Sequence, residues 1–189
     1  MVTAFSVEAK DVSTGTYLGL PVVPFEDICD RYPPDQYRVF VALTPPQRYR
    51  SRNLLYDAVK SAGYKCASYV SSRAFYVRNV QIGENSLVQE FVALQHRARI
   101  GNNVFVGSGT CVGHSAVIED NCWIGRHVNI AGFSRIGRDS SLGDNSCIAD
   151  VIKVAYDSII SPGAVVLRDT RSGLLYSGNP AAPARPNSM

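Results

Sequence analysis

The sequence predicts a mainly β fold, a triangular parallel β-helix of about five 18-residue coils preceded by a small α/β (βαβ) unit. Three observations predict it. Ile, Leu or Val stands at every sixth position from Ile82, Val88, Leu94 and Ile100 through Ile130 and Ile136 to Val166. Fifteen consecutive positions obey this rule, although the three types make up only 44 of the 189 residues, so chance is no explanation. Small residues recur two places before these anchors (Ser86, Ala98, Thr110, Cys122, Ser134, Ser158), and glycine one place after (Gly83, Gly101, Gly107, Gly113, Gly125, Gly137, Gly143). A longer period is superimposed, because positions 85, 103, 121, 139 and 157 read Asn, Asn, Asn, Asp, Asp. A period of six fits neither helix nor simple strand, whereas three hexads per turn make a triangular coil.

The elements follow in chain order. Residues 3–9 read as a strand and 25–32, after Pro24, as a short helix. VFVAL (39–43) reads as a buried strand, and Thr44 before Pro45 as the N-cap of a helix to about Ala62, with Gly63 as its stop. Lys65–Val70 reads as the returning strand of the βαβ unit. Units of this kind bind ligands at the carboxyl ends of their strands, which directs attention to Thr44–Arg50; a plain connecting turn is the alternative. In the prism, the 85/103/121/139/157 column and the 109/127/145/163 column (Gly, His, Asn, Gly) hold residues that tolerate a left-handed backbone. The third column, 97/115/133/151, reads Arg, Ser, Phe, Val and is expected to turn differently. The Gly-, Pro- and Ser-rich tail should cap the open end. The division is therefore 1–75, the small unit with a sugar-binding role; 76–170, the β-helix; and 171–189, cap and tail.

Composition narrows the function. A formal charge of +3 gives no basic footprint for nucleic acid, and no apolar run suits a membrane span. Five scattered cysteines without a CxxC pair argue against a disulfide framework or a zinc site and for free thiols in a reducing cytoplasm. The three histidines are His96, His114 and His127. In the 18-residue register His96, His114, Gly132, Asp150 and Arg168 share one edge. One reading makes a histidine there a general base, with the Gly132 N–H stabilising an oxyanion; the other leaves both imidazoles as solvated surface groups. His127 falls in a corner column, where a backbone role suffices. A metal held by His96 and His114 lacks an evident third ligand apart from Asp150, and His127 lies at another corner.

The hexad array, SGTCVGHSAVIEDNCWIGRHVNIAGFSRIG (108–137), GNPA (178–181), LGLPVVPFEDI (18–28) and AVKSAGYKCASYVSSRAF (58–75) resemble the left-handed β-helix (hexapeptide-repeat) sugar acetyltransferases. More narrowly, they resemble the sialic-acid O-acetyltransferase and bacillosamine-pathway N-acetyltransferase group. The resemblance implies a left-handed prism, a homotrimer with CoA in the groove between two prisms, and acetyl transfer from acetyl-CoA to an amine or hydroxyl of a sugar, often nucleotide-linked, without a metal. His114 matches the histidine that deprotonates the acceptor, and Gly132 the glycine whose amide faces the thioester. Ala131, Gly132, Ala149 and Asp150 are then expected on the CoA side, and His96, Ser115 and Thr44 on the substrate side. Two features depart from the pattern. Ser115 stands where these relatives carry a carboxylate beside the base, and the small unit is expected to lack their first strand and glycine-rich turn. These departures keep open an alternative, a catalytically weak or non-enzymatic scaffold that binds a sugar nucleotide.

Overall fold

The computed structural model describes residues 1–42 and 49–184. Seventeen two-residue strands follow one another at six-residue spacing from Tyr69–Val70 to Val165–Val166. They form three parallel sheets, the faces of a prism. The first face stacks Tyr69–Val70, Leu87–Val88, Phe105–Val106, Trp123–Ile124, Ser141–Leu142 and Ile159–Ile160. The second stacks Phe75–Tyr76, Ala93–Leu94, Cys111–Val112, Asn129–Ile130, Cys147–Ile148 and Val165–Val166. The third stacks Gln81–Ile82, Arg99–Ile100, Val117–Ile118, Arg135–Ile136 and Lys153–Val154. Every pairing joins residues eighteen apart, so the register is the one that the columns imply.

The anchors fill the prism. All from Val88 to Val166 are buried, and Val70 and Ile82 pack against them at the open base. The ladder thus starts two hexads below Ile82. The small residues two places earlier are buried as well, and several carry a hydroxyl that reaches a backbone carbonyl. Ser86 Oγ donates to Gly101 O at 2.8 Å, Thr110 Oγ1 to Gly125 O at 2.8 Å and Ser134 Oγ to Ala149 O at 2.7 Å. Each then accepts an amide of the next coil, as Ser86 does from Val104 N–H at 3.1 Å and Thr110 from Val128 N–H at 3.1 Å. The hydroxyls of Ser86, Thr110 and Ser134 are thus satisfied within the stack, whereas the buried Ser146 Oγ has no partner among the described residues. At the top, Leu175–Ser177 extends the first face, Ala182–Ala184 folds back on it, and Tyr176 is buried against the core.

All three corners turn alike, which corrects the expectation for the third column. Arg97, Ser115, Phe133 and Val151 have φ of 61°, 58°, 56° and 64°, the same left-handed values as Asn103 (54°), Asn121 (61°) and His127 (54°). The cause is the stack. All of these corner residues except Arg97, whose N–H donates to Asn79 Oδ1, donate the N–H to the carbonyl nineteen residues earlier, for instance Ser115 to His96 O, Asn121 to Asn102 O and Phe133 to His114 O, at 2.9–3.0 Å. Side-chain preference is overridden by that obligatory ladder.

The first part of the chain forms β1 (Phe5–Val7), β2 (Thr16–Tyr17), β3 (Leu20–Pro24), a 3-10 turn (Phe25–Asp27), α1 (Ile28–Arg31), β4 (Arg38–Val39), α2 (Tyr49–Ser61) and β5 (Lys65–Cys66). β1 and β2 flank β3, and β4 pairs parallel with β5 across α2, the expected βαβ connection. The expected strand Lys65–Val70 is two strands in two sheets: Lys65–Cys66 belongs to this unit and Tyr69–Val70 opens the prism. Gly63 ends α2 with φ 87°. Ile28, Val41, Tyr56, Val59, Tyr64 and Cys66 form a second core. The Thr44 N-cap lies outside the described residues.

Candidate active site

The edge between the second and third faces carries His96, His114, Gly132 and Asp150 in successive turns. Their alignment is fixed by backbone bonds: Ser115 N–H to His96 O at 2.9 Å, Phe133 N–H to His114 O at 3.0 Å and Val151 N–H to Gly132 O at 3.0 Å. His114 is exposed and Gly132 is buried. The imidazole of His114 lies over Gly132, because a Cβ built on that glycine would stand 2.5 Å from His114 Cε1 and 2.9 Å from both ring nitrogens. Glycine is thus needed here for close approach, not for an unusual φ. The Phe133 ring meets the imidazole nearly perpendicularly, 4.8 Å between centroids at 85°.

The amides of this edge are used unequally. His114 N–H donates to Gln95 Oε1 at 3.1 Å. The amides in the same slot of other turns also find side-chain oxygens: Asn102 and Arg126 on Asp120 and Asp144, and Arg138 on Glu119. The Gly132 N–H has no hydrogen-bond partner among the described residues. A free donor beside an imidazole is an arrangement that can stabilise an oxyanion next to a base.

The remaining predicted residues fall as follows. Ala131, Ala149 and Asp150 continue up the edge, with Ala131 and Ala149 tied into the ladder through Ile148 O and Val166 O. His96 is one turn below His114, and its ring turns to Asn79, whose Nδ2 lies 2.9 Å from Nδ1. Asn79 Oδ1 accepts the Arg97 N–H at 3.1 Å, so the Asn79 amide nitrogen faces the imidazole and donates to it. Ser115 is half-buried in the corner and places no carboxylate beside His114. His127 stands at another corner, its ring over Gly109, where a Cβ would come within 2.4 Å of Nδ1. Among the described residues no three His, Cys, Asp or Glu side chains converge as metal ligands. Gln95, Asn79 and Phe133 were not singled out from the sequence, though Phe133 adjoins Gly132 and shares a column with Ser115.

Two shallow depressions of about 350 and 400 Å³ lie on the third face, around Arg135, Arg138 and Glu119, and neither includes His114 or Gly132. No helix among the described residues is long and apolar enough to cross a membrane.

Comparison with known proteins supplies the family context. The bacterial transferase hexapeptide family (six repeats) matches residues 79–114 and 115–150. No curated protein matches the chain. Among solved structures, the chain is similar to PerB from Caulobacter crescentus in complex with CoA and GDP-perosamine, at 25% identity and TM-score 0.82 over 92% of this chain and 83% of that one. It is similar to a His-to-Asn mutant of perosamine N-acetyltransferase from the same organism, also with CoA and GDP-perosamine, at 24% identity and TM-score 0.83 over 93% and 82%. The acetyltransferase domain of PglB from Neisseria gonorrhoeae FA1090 in complex with acetyl coenzyme A gives 24% identity and TM-score 0.82 over 92% and 83%. The repeat match over residues 79–150 and the shared fold give the chain a left-handed β-helix of hexapeptide repeats, the architecture of these acetyltransferase structures.

Proposed function

We propose that this chain transfers an acetyl group from acetyl-CoA to an amine or hydroxyl of a sugar, with His114 as general base and the Gly132 N–H as oxyanion donor. The observation that carries this reading is the imidazole lying against a buried glycine whose amide is unpaired. The acceptor N–H or O–H gives its proton to a ring nitrogen of His114 while its lone pair attacks the thioester carbonyl carbon. The carbonyl oxygen becomes an oxyanion held by the Gly132 N–H. Collapse re-forms the carbonyl and breaks the C–S bond, and the thiolate leaves as CoASH with the proton that His114 had taken. No covalent enzyme intermediate is needed.

The acceptor is a nucleotide-linked sugar in this reading, in keeping with the GDP-perosamine bound by similar proteins. CoA runs past Ala131, Gly132, Ala149 and Asp150, and His96 and Ser115 lie on the acceptor side. The active form is a homotrimer with sites between subunits. Two facts support this. The edge bearing His114 is open on its own, and the small unit (residues 1–75), to which we assign sugar binding, docks at a different corner through Asn53–Asn103 and Arg52–Asn85 contacts. A small unit would then serve the edge of a neighbouring copy. Five free cysteines suit a reducing cytoplasm.

Replacing the general base should cost roughly 10²–10⁴-fold in turnover. His114→Ala, assayed by thiol release with acetyl-CoA and nucleotide-linked amino sugars, is expected to lose kcat to that degree while the oligomer survives. Undiminished kcat removes His114 from the mechanism. The competing scaffold reading, motivated by Ser115, predicts that the protein shows no thermal shift with millimolar CoA.

A further inference from the structure

The edge that carries His114 also carries an exposed phenylalanine on a backbone that disfavours it. Phe133 has φ 56°, where Asn, Asp or Gly sits at least cost, and 61% of it is exposed. Neither the backbone nor the exposure stabilises the chain, so the residue needs another explanation. Its ring contact is with the His114 imidazole, perpendicular at 4.8 Å. The same imidazole lies against Gly132, which has no side chain to push it away.

No hydrogen bond to the ring itself is made among the described residues. The His114 backbone bonds Gln95 Oε1 and the Phe133 N–H, and Ser115 makes no hydrogen bond to the ring. The imidazole is therefore located by packing, against the glycine backbone and against an aromatic ring. We infer that Phe133 is the positioning residue for His114, holding the base in its working rotamer by ring contact in the place where a carboxylate would hold it by hydrogen bond. This rests on the reading of His114 as the base. Ring contact leaves both imidazole nitrogens open, so no tautomer is imposed and the proton can be taken from the acceptor and passed to the thiolate. An aromatic ring also tolerates the imidazolium formed between the two steps.

The test compares Phe133→Asn, Phe133→Leu and Phe133→Tyr, with His114→Ala as control. Phe133→Asn suits the left-handed turn, so it should melt at or above the parent temperature and keep the oligomer. It should also keep both KM values within about twofold, yet lose kcat about tenfold or more, because a base displaced by an ångström loses orientation. Phe133→Leu should lose kcat likewise, and Phe133→Tyr should retain it. The His114 ring protons, shifted by the neighbouring aromatic in the parent, should move in the Asn and Leu variants and stay in the Tyr variant. Unchanged kcat in Phe133→Asn, unmoved His114 resonances, or loss of the oligomer in that variant each overturns the inference, the last by making Phe133 a subunit contact. If His114→Ala is inactive while Phe133→Asn is fully active, only the positioning role falls. If His114→Ala is active, the base reading itself falls.

Discussion

Two glycines under two histidines separate chemistry from architecture at the residue scale. Gly132 and Gly109 each lie beneath an imidazole, yet only Gly109 has a left-handed backbone, φ 71°. Gly132→Ala therefore adds no backbone strain. Its Cβ instead displaces the tip of a flexible, exposed side chain, which costs little stability. The expected outcome is a melting temperature close to the parent's and a kcat reduced about 10²-fold, since misplacing a reacting group by about 1 Å costs that much. Gly109→Ala should do the opposite, destabilising the fold by about 1–2 kcal/mol through its left-handed backbone and leaving kcat unchanged. Steady-state kinetics and thermal melts on the pair check both halves. A Gly132→Ala enzyme with parental kcat would show that the imidazole's seat on that glycine is irrelevant to turnover.

The repeating turn decides what was legible at the scale of the element. Anchors, small positions and the eighteen-residue register were readable because each depends on residue type at a fixed slot. So was the alignment of His96, His114 and Gly132. Side-chain direction was not readable: His96 turns to Asn79 and His114 to Gly132, although both occupy the same slot. The 97/115/133/151 corner was misread because its residues do not advertise φ above zero, while the ladder of corner amides forces it. That conflict predicts a stabilising substitution. Val151 is β-branched, has φ 64° and is 70% exposed, so it carries strain with little packing in return. Val151→Asn should stabilise by about 1 kcal/mol, raising the melting temperature by roughly 2–4 °C for a chain of this size. A melt at or below the parent's would mean that Val151 gains its stability from a contact with another copy.

For the whole molecule, the question is how a separate small core is held against the prism. Its hold is polar. Arg52 is 1% exposed; its guanidinium donates to Val41 O and, at 2.6 Å, to Asn85 O, and burial pushes it down to about 10. Asn85 also accepts the Val41 N–H at 2.8 Å and heads a ladder of side-chain amides through Asn103 and Asn121 to Asp139. Beside it, Glu84 in the prism takes Tyr56 Oη at 2.9 Å, the Cys66 N–H at 3.0 Å and Lys60 Nζ at 2.7 Å, all from the small unit. Desolvation alone would raise the Glu84 carboxyl, but the bonds from Lys60, Cys66 and Tyr56 outweigh it and hold it below the usual carboxylate range. The sign follows from linkage. A depressed folded value gives stability that is complete above the unfolded value of about 4.3 and disappears as pH falls through the folded one. Docking of the small unit should thus weaken below about pH 4 while the aliphatic ladder of the prism, which has no titrating group among its anchors, holds. Glu84→Gln removes the charge at every pH. In amide hydrogen exchange it should speed exchange of residues 49–66 at neutral pH and leave the strands around Ile118, Ile130 and Ile148 protected. Below the folded value of Glu84 the variant and parent should converge. Equal exchange of the two proteins at neutral pH would mean that Arg52 and the Asn85 ladder hold the small unit without Glu84.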